Sequence, residues 1–152
     1  MKKLTTNDWI LGVGCIAMII GIFPAWMGVD VCFFDSCASA SVNGFHYFLQ
    51  GTIPWILAIG VLAVLVIRKF LPDVKLPDQL GNFSWNQVIL GASGLSALLV
   101  LSRLLMGDSG ADRKLGLFLC SAGTVAMAVG AFLKYQSNED DAAASSGPPT
   151  AF

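Results

Sequence analysis

Charge is what this chain has least of. Of its 152 residues only 12% are Asp, Glu, Lys or Arg, against 55% hydrophobic, where a soluble domain carries roughly a quarter charged residues. A water-soluble core of this length could not hide so much apolar surface. Nine basic and ten acidic residues leave a net charge of −1. That excludes the basic field that draws nucleic acid, so no nucleic-acid partner is expected. A lone histidine, His46, excludes a two-imidazole haem or a three-histidine zinc site. With no Ser/His/Asp set, metal cluster or phosphate loop in view either, neither a cofactor nor an enzymatic activity is expected.

The shortage of charge is sharpest inside four apolar runs, 9–27, 48–67, 85–106 and 115–135. Only Arg103, about one turn before the third run ends, and Lys134, at the close of the fourth, interrupt them. Proton- and ion-coupled transporters need carboxylates, histidines or broken helices around a midplane site, and these runs hold no Asp, Glu or His. Each run supplies about the 20 residues that a helix rising ~1.5 Å per residue needs to cross a ~30 Å hydrocarbon core. The expected fold class is therefore all-α: a four-helix transmembrane bundle over residues 1–135. A disordered, acidic and Pro-containing cytoplasmic tail is expected over 136–152. Met1-Lys2-Lys3 before an apolar run has the look of a secretory leader, with Ala38-Ser39-Ala40 as the small-residue site. That site lies too far beyond the end of the run near Met27, so an uncleaved first span is expected.

Cytoplasmic loops carry the excess of Lys and Arg. With the amino terminus inside, Lys2, Lys3, Arg68, Lys69, Lys75 and Lys134 are cytoplasmic, against Arg103, Arg113 and Lys114 outside. The aromatic belts agree: Trp9, Trp85 and Tyr135 fall at the inner boundary, Trp26, Tyr47 and Trp55 near the outer one. Both termini are thus expected in the cytoplasm. The first outer loop then faces an oxidising compartment, where Cys32 and Cys37, with four residues between them, can close a small disulfide and present Phe33-Phe34-Asp35 as an aromatic tip. The bridge is expected as a staple on a short loop with the phenylalanines folded onto the bundle; alternatively, because exposed aromatic pairs are costly unless covered, Phe33 and Phe34, with Trp26 near the outer boundary, are candidate partner or lipid contacts.

Small residues mark candidate helix-packing faces. Gly91 and Gly94 lie in the third span, and Ala122, Ala126 and Gly130 form a ladder at four-residue spacing in the fourth; such spacing lets helix backbones approach closely in lipid. Spans three and four are expected to pack on each other. A second ladder runs through Gly116, Cys120, Thr124 and Ala128. Arg103 is expected to snorkel to the outer headgroups, to pair with Asp108 or Asp112, or to anchor a lipid phosphate. Cys15 and Cys120 are separated by ~13 Å in depth on ideal helices, beyond the ~7 Å between Cα atoms that a disulfide allows.

Phe23-Pro24-Ala25-Trp26 closes the first span and Asn43-Gly44-Phe45-His46 leads into the second. Leu71-Pro72-Asp73 and Leu76-Pro77-Asp78 repeat between the second and third. With the Gly/Ser-rich third span and the acidic tail, these motifs resemble small four-span proteins of actinobacteria. The resemblance implies a bacterial plasma membrane and a role as an accessory subunit of a lipid-transport or respiratory assembly, with membrane lipids and other integral membrane subunits as partners. Two alternatives stand beside it. One is a lipid-handling protein using Arg103. The other is a thiol oxidoreductase similar to membrane quinone-linked disulfide enzymes, from whose C-x-x-C pattern the four-residue Cys32–Cys37 spacing departs.

Overall fold

The computed structural model describes residues 4–145 apart from 72, 75, 78 and 108. Lys2, Lys3, Pro72, Lys75, Asp78, Asp108 and the tail from residue 146 onward, each named in the readings above, lie outside the described residues. The chain is mostly helical: α1 is Thr6–Gly21, α2 Ile53–Phe70, α3 Trp85–Met106 and α4 Leu115–Ser145. Local chemistry sets the starts. Thr5 and Asp8 form a capping box ahead of α1, Ser84 and Gln87 form another ahead of α3, and Pro54 occupies the first turn of α2, where its missing N–H costs little. Gly107, at φ 58, ends α3 in a conformation that side chains avoid.

Three helical segments are long and apolar enough to cross a membrane, Phe48–Phe70, Trp85–Met106 and Leu115–Ser137. The first of these opens with a π-helical turn, Phe48–Thr52, before α2. The first apolar run, 9–27, does not form one continuous helix. α1 has 16 residues, about 24 Å of helix, and the backbone beyond it leaves the helical path. Pro24 lacks an N–H and disfavours helix in the residue before it; the alternating β-branched sequence Val29-Asp30-Val31 then favours strand. The last helix is longer than expected and carries positions 139–141, assigned above to a tail, within its bounds.

The fold is accordingly not purely all-α. Strands β1 (Ala25–Phe33) and β2 (Ser36–Asn43) form an antiparallel hairpin, and β5 (Asp112–Arg113) adds to the root of β1 at Met27 and Gly28. β3 (Gln79–Leu80) and β4 (Phe83–Ser84) form a two-residue ladder turned by Gly81, at φ 64, just before α3. A bulge between Ala25 and Met27 shifts the β1 register and leaves Trp26 unpaired. Such bulges re-aim a side chain, and here the Trp26 ring is 0% exposed.

The core follows the seam between α1 and α4, through Leu11, Cys15, Met18 and Ile22 on one side and Leu117, Cys120 and Met127 on the other. A Cβ at Gly14 would lie 2.8 Å from the Gly123 carbonyl oxygen, and one at Gly123 would lie 2.8 Å from the Met18 backbone nitrogen. Contact this close is how helices associate where lipid removes the hydrophobic drive. Gly130 packs on Leu11 in the same seam, so that member of the expected ladder serves α1, whereas Ala122 is exposed and Ala126 half-buried. α3 also packs on α4, but not through its glycines: a Cβ at Gly91 or Gly94 would meet nothing within 4 Å.

Candidate functional site

The β1–β2 hairpin leaves the bundle at Gly28. From Val29 to Ser41 every residue is exposed, and the pairing runs through Val31 and Ala38 to Cys32 opposite Cys37. These two cysteines form a disulfide, which closes the strands one residue short of the turn. Phe34 sits in that turn at φ 46, a left-handed conformation that Gly or Asn adopts far more readily. Phe33 is 75% exposed and Phe34 94% exposed, and their rings meet edge to face at 5.5 Å. The aromatic tip expected from the cysteine spacing is therefore present, and the described residues of the chain leave it bare.

The root of the hairpin is built from aromatics. The Trp26 indole N–H donates to the Gly21 carbonyl at 3.0 Å, supplying a partner to one of the carbonyls that the end of α1 leaves open. Tyr47 stacks on Trp26, with centroids 6.4 Å apart, and the Arg103 guanidinium lies 4.0 Å above the Tyr47 ring. Arg103 is 9% exposed. It lies over the Tyr47 ring as a buried cation–π partner, and Asp108, one of its expected pairing partners, lies outside the described residues. Trp26, expected at the outer boundary, is likewise in the core. Beside this stack, a cavity of about 600 Å³ opens between Phe23, Ser41, Asn43, Phe45 and His46.

The opposite end of the bundle holds a charged cluster that sequence reasoning missed. Asp8 is 1% exposed. One carboxylate oxygen receives the Lys134 ammonium at 2.5 Å and the other the Lys69 ammonium at 2.6 Å; Thr5 donates to it from its backbone N–H at 3.2 Å and its hydroxyl at 2.9 Å. Burial acts to raise the Asp8 pKa, but the bonds from Lys134, Lys69 and Thr5 outweigh it and hold the carboxyl well below the usual carboxylate range. The cluster ties the start of α1 and the end of α2 to the body of α4. Its local signal was the Thr5-to-Asp8 capping spacing; the lysines had registered only as orientation charges.

Cys15 and Cys120 are free thiols buried in the α1–α4 seam. The Cys120 thiol approaches the Met18 carbonyl at 3.7 Å, and Cys120 faces Gly21. Cys15 lies six residues before Gly21, about 9 Å along the helix axis, and neither thiol is joined to another cysteine. Among the described residues no three His, Cys, Asp or Glu side chains converge on a point that could hold a metal ion.

These features define a class: a mostly helical membrane protein with three full-length apolar helices, one shorter one, and a disulfide-closed hairpin projecting from one end. No protein-family model, no curated protein and no solved structure matches the chain.

Proposed function

We propose that this chain is a non-catalytic, multi-pass protein of a bacterial plasma membrane, an accessory or scaffold subunit that docks to a larger envelope complex of lipid-transport or respiratory type. Its amino terminus and the far end of α4 face the cytoplasm, and the hairpin faces outward. The observation that carries this reading is the bare Phe33–Phe34 pair at the tip of a hairpin that nothing else in the described chain covers.

A two-stranded hairpin in water is marginally stable by itself, and an uncovered aromatic pair adds apolar surface that water disfavours. Here a cross-link holds the strands, and a strained turn position is occupied by phenylalanine. Both features suit presentation of the rings to a partner, because aromatic anchors dominate the fully buried centres of interfaces. The orientation draws its support from the six-to-three distribution of Lys and Arg and from the disulfide, which persists in oxidising compartments.

Native purification in mild detergent tests the reading. The wild-type chain is expected to retain a membrane protein in fixed ratio. Phe33→Ser combined with Phe34→Ser is expected to lose that protein while eluting as sharply as the wild type. A chain that runs alone as a monomer under every gentle condition overturns the proposal. So does a partner that survives the double substitution.

A further inference from the structure

A crevice of about 310 Å³ opens on the side of the bundle between α2 and α3. Ile56, Gly60 and Val64 form one wall, and Trp85, Ile89 and Ala92 the other. Gly60 keeps the slot open, since a Cβ there would meet nothing within 4 Å. Among the described residues the lining carries no charged side chain, and the Trp85 indole N–H donates to the Pro77 carbonyl at 2.7 Å. Only hydrocarbon fits such chemistry. The volume lies at the small end of the roughly 300–1,000 Å³ typical of ligand pockets, enough for a chain of methylenes.

One end of the slot is charged. Positions 60, 64 and 68 recur at four-residue spacing and therefore share a face of α2, so Arg68 follows Gly60 and Val64 along the wall. Arg68 is exposed, and its guanidinium donates at 3.4 Å to the Asn86 side-chain oxygen, across the gap at the start of α3. Its neighbour Lys69 is engaged with Asp8. A hydrocarbon slot that ends in an exposed guanidinium is complementary in shape and charge to one molecule class, an amphiphile whose acyl chain enters the slot and whose phosphate meets the planar donor fork.

We propose that the α2–α3 crevice binds one acyl chain of an anionic phospholipid whose phosphate is held by Arg68. The site requires only that α2 and α3 sit in lipid, and it stands with or without a docked partner subunit.

The test uses the full chain, purified in mild detergent, stripped of lipid and titrated with phosphatidylglycerol or with diacylglycerol of the same acyl chains. Bound lipid is counted by native mass spectrometry. Wild type is expected to take up one phosphatidylglycerol with about tenfold preference over diacylglycerol, the scale of one charge-assisted contact. Arg68→Gln, which keeps the Asn86 hydrogen bond possible, is expected to erase that preference. Gly60→Leu is expected to lower uptake of both lipids, and glycerol phosphate is expected not to compete. Should Gly60→Leu fail to elute as a single species, Val64→Phe on the same wall provides the same readout. A preference that survives Arg68→Gln, uptake unchanged by filling the slot, or competition by glycerol phosphate alone each overturns the proposal.

Discussion

Asp8 stands one position before an apolar run, is almost wholly buried, and binds two lysines from distant parts of the chain. Removing its carboxylate leaves two partly buried ammonium groups without their shared counter-charge. Asp8→Ala is therefore expected to destabilise the fold by about 3 kcal/mol, read as a lowered midpoint of thermal unfolding in detergent. The pH dependence follows from the direction of its shift. A carboxyl held below its unfolded value of about 3.9 contributes fully above that value and loses the contribution as pH falls through the folded one. The gap between wild type and Asp8→Asn is expected to stay constant from pH 5 to 8 and to narrow only below about pH 4. The local half of this arrangement was legible, because Thr5 and Asp8 have capping spacing. The other half was not, since Lys134 lies 126 positions away and no local pattern announces such a pairing.

Among the elements, the α1–α4 seam shows why small-residue spacing identifies faces without identifying their partners. Ladders in the fourth span and glycines in the third looked equally suited to each other, yet Gly123 and Gly130 meet α1 while Gly91 and Gly94 face open space. Helical periodicity shows which residues share a stripe; which stripe meets which depends on the hairpin root and the Asp8 cluster. Gly123→Leu is expected to cost about 3 kcal/mol or more, because a side chain there strikes backbone that cannot yield. Gly91→Leu is expected to stay within about 0.5 kcal/mol of wild type. Chemical unfolding of both variants in one detergent separates these outcomes. The hairpin was easier to foresee at its tip than along its length. Cys32 and Cys37 are five positions apart, a local relation, whereas the strand pairing of Ala25 to Asn43 competed with a continuous apolar helix and prevailed because of Pro24. Replacing both cysteines by serine is expected to speed amide hydrogen exchange across residues 28–43 and to leave helix α3 unchanged, since the hairpin opens as a separate unit.

For the molecule as a whole, three of the four apolar runs fall on helices long and apolar enough to cross a membrane, and the first falls on a shorter apolar helix followed by a strand. The third run coincides with α3 end to end, and the second and fourth match their helices within a few residues at the start. The first reads as one helix because hydropathy does not distinguish a membrane helix from a helix followed by a buried strand. Met27 and Trp26 are apolar because they complete the core at the hairpin root.

The shortness of α1 bears on the surrounding bilayer. Trp9, Val13, Ile16, Ile20 and Phe23 are all exposed on one side of this segment, and that stripe covers about 21 Å along the axis, while α3, with 22 residues, spans about 33 Å. In a bilayer, lipid would face a low wall on one flank and a tall one on the other, a mismatch that costs fractions of a kcal/mol per Å and is met by thinning, snorkelling or association. Such a lopsided girdle gives the protein a preferred side for neighbours of equally short reach, and favours thin bilayers over thick ones.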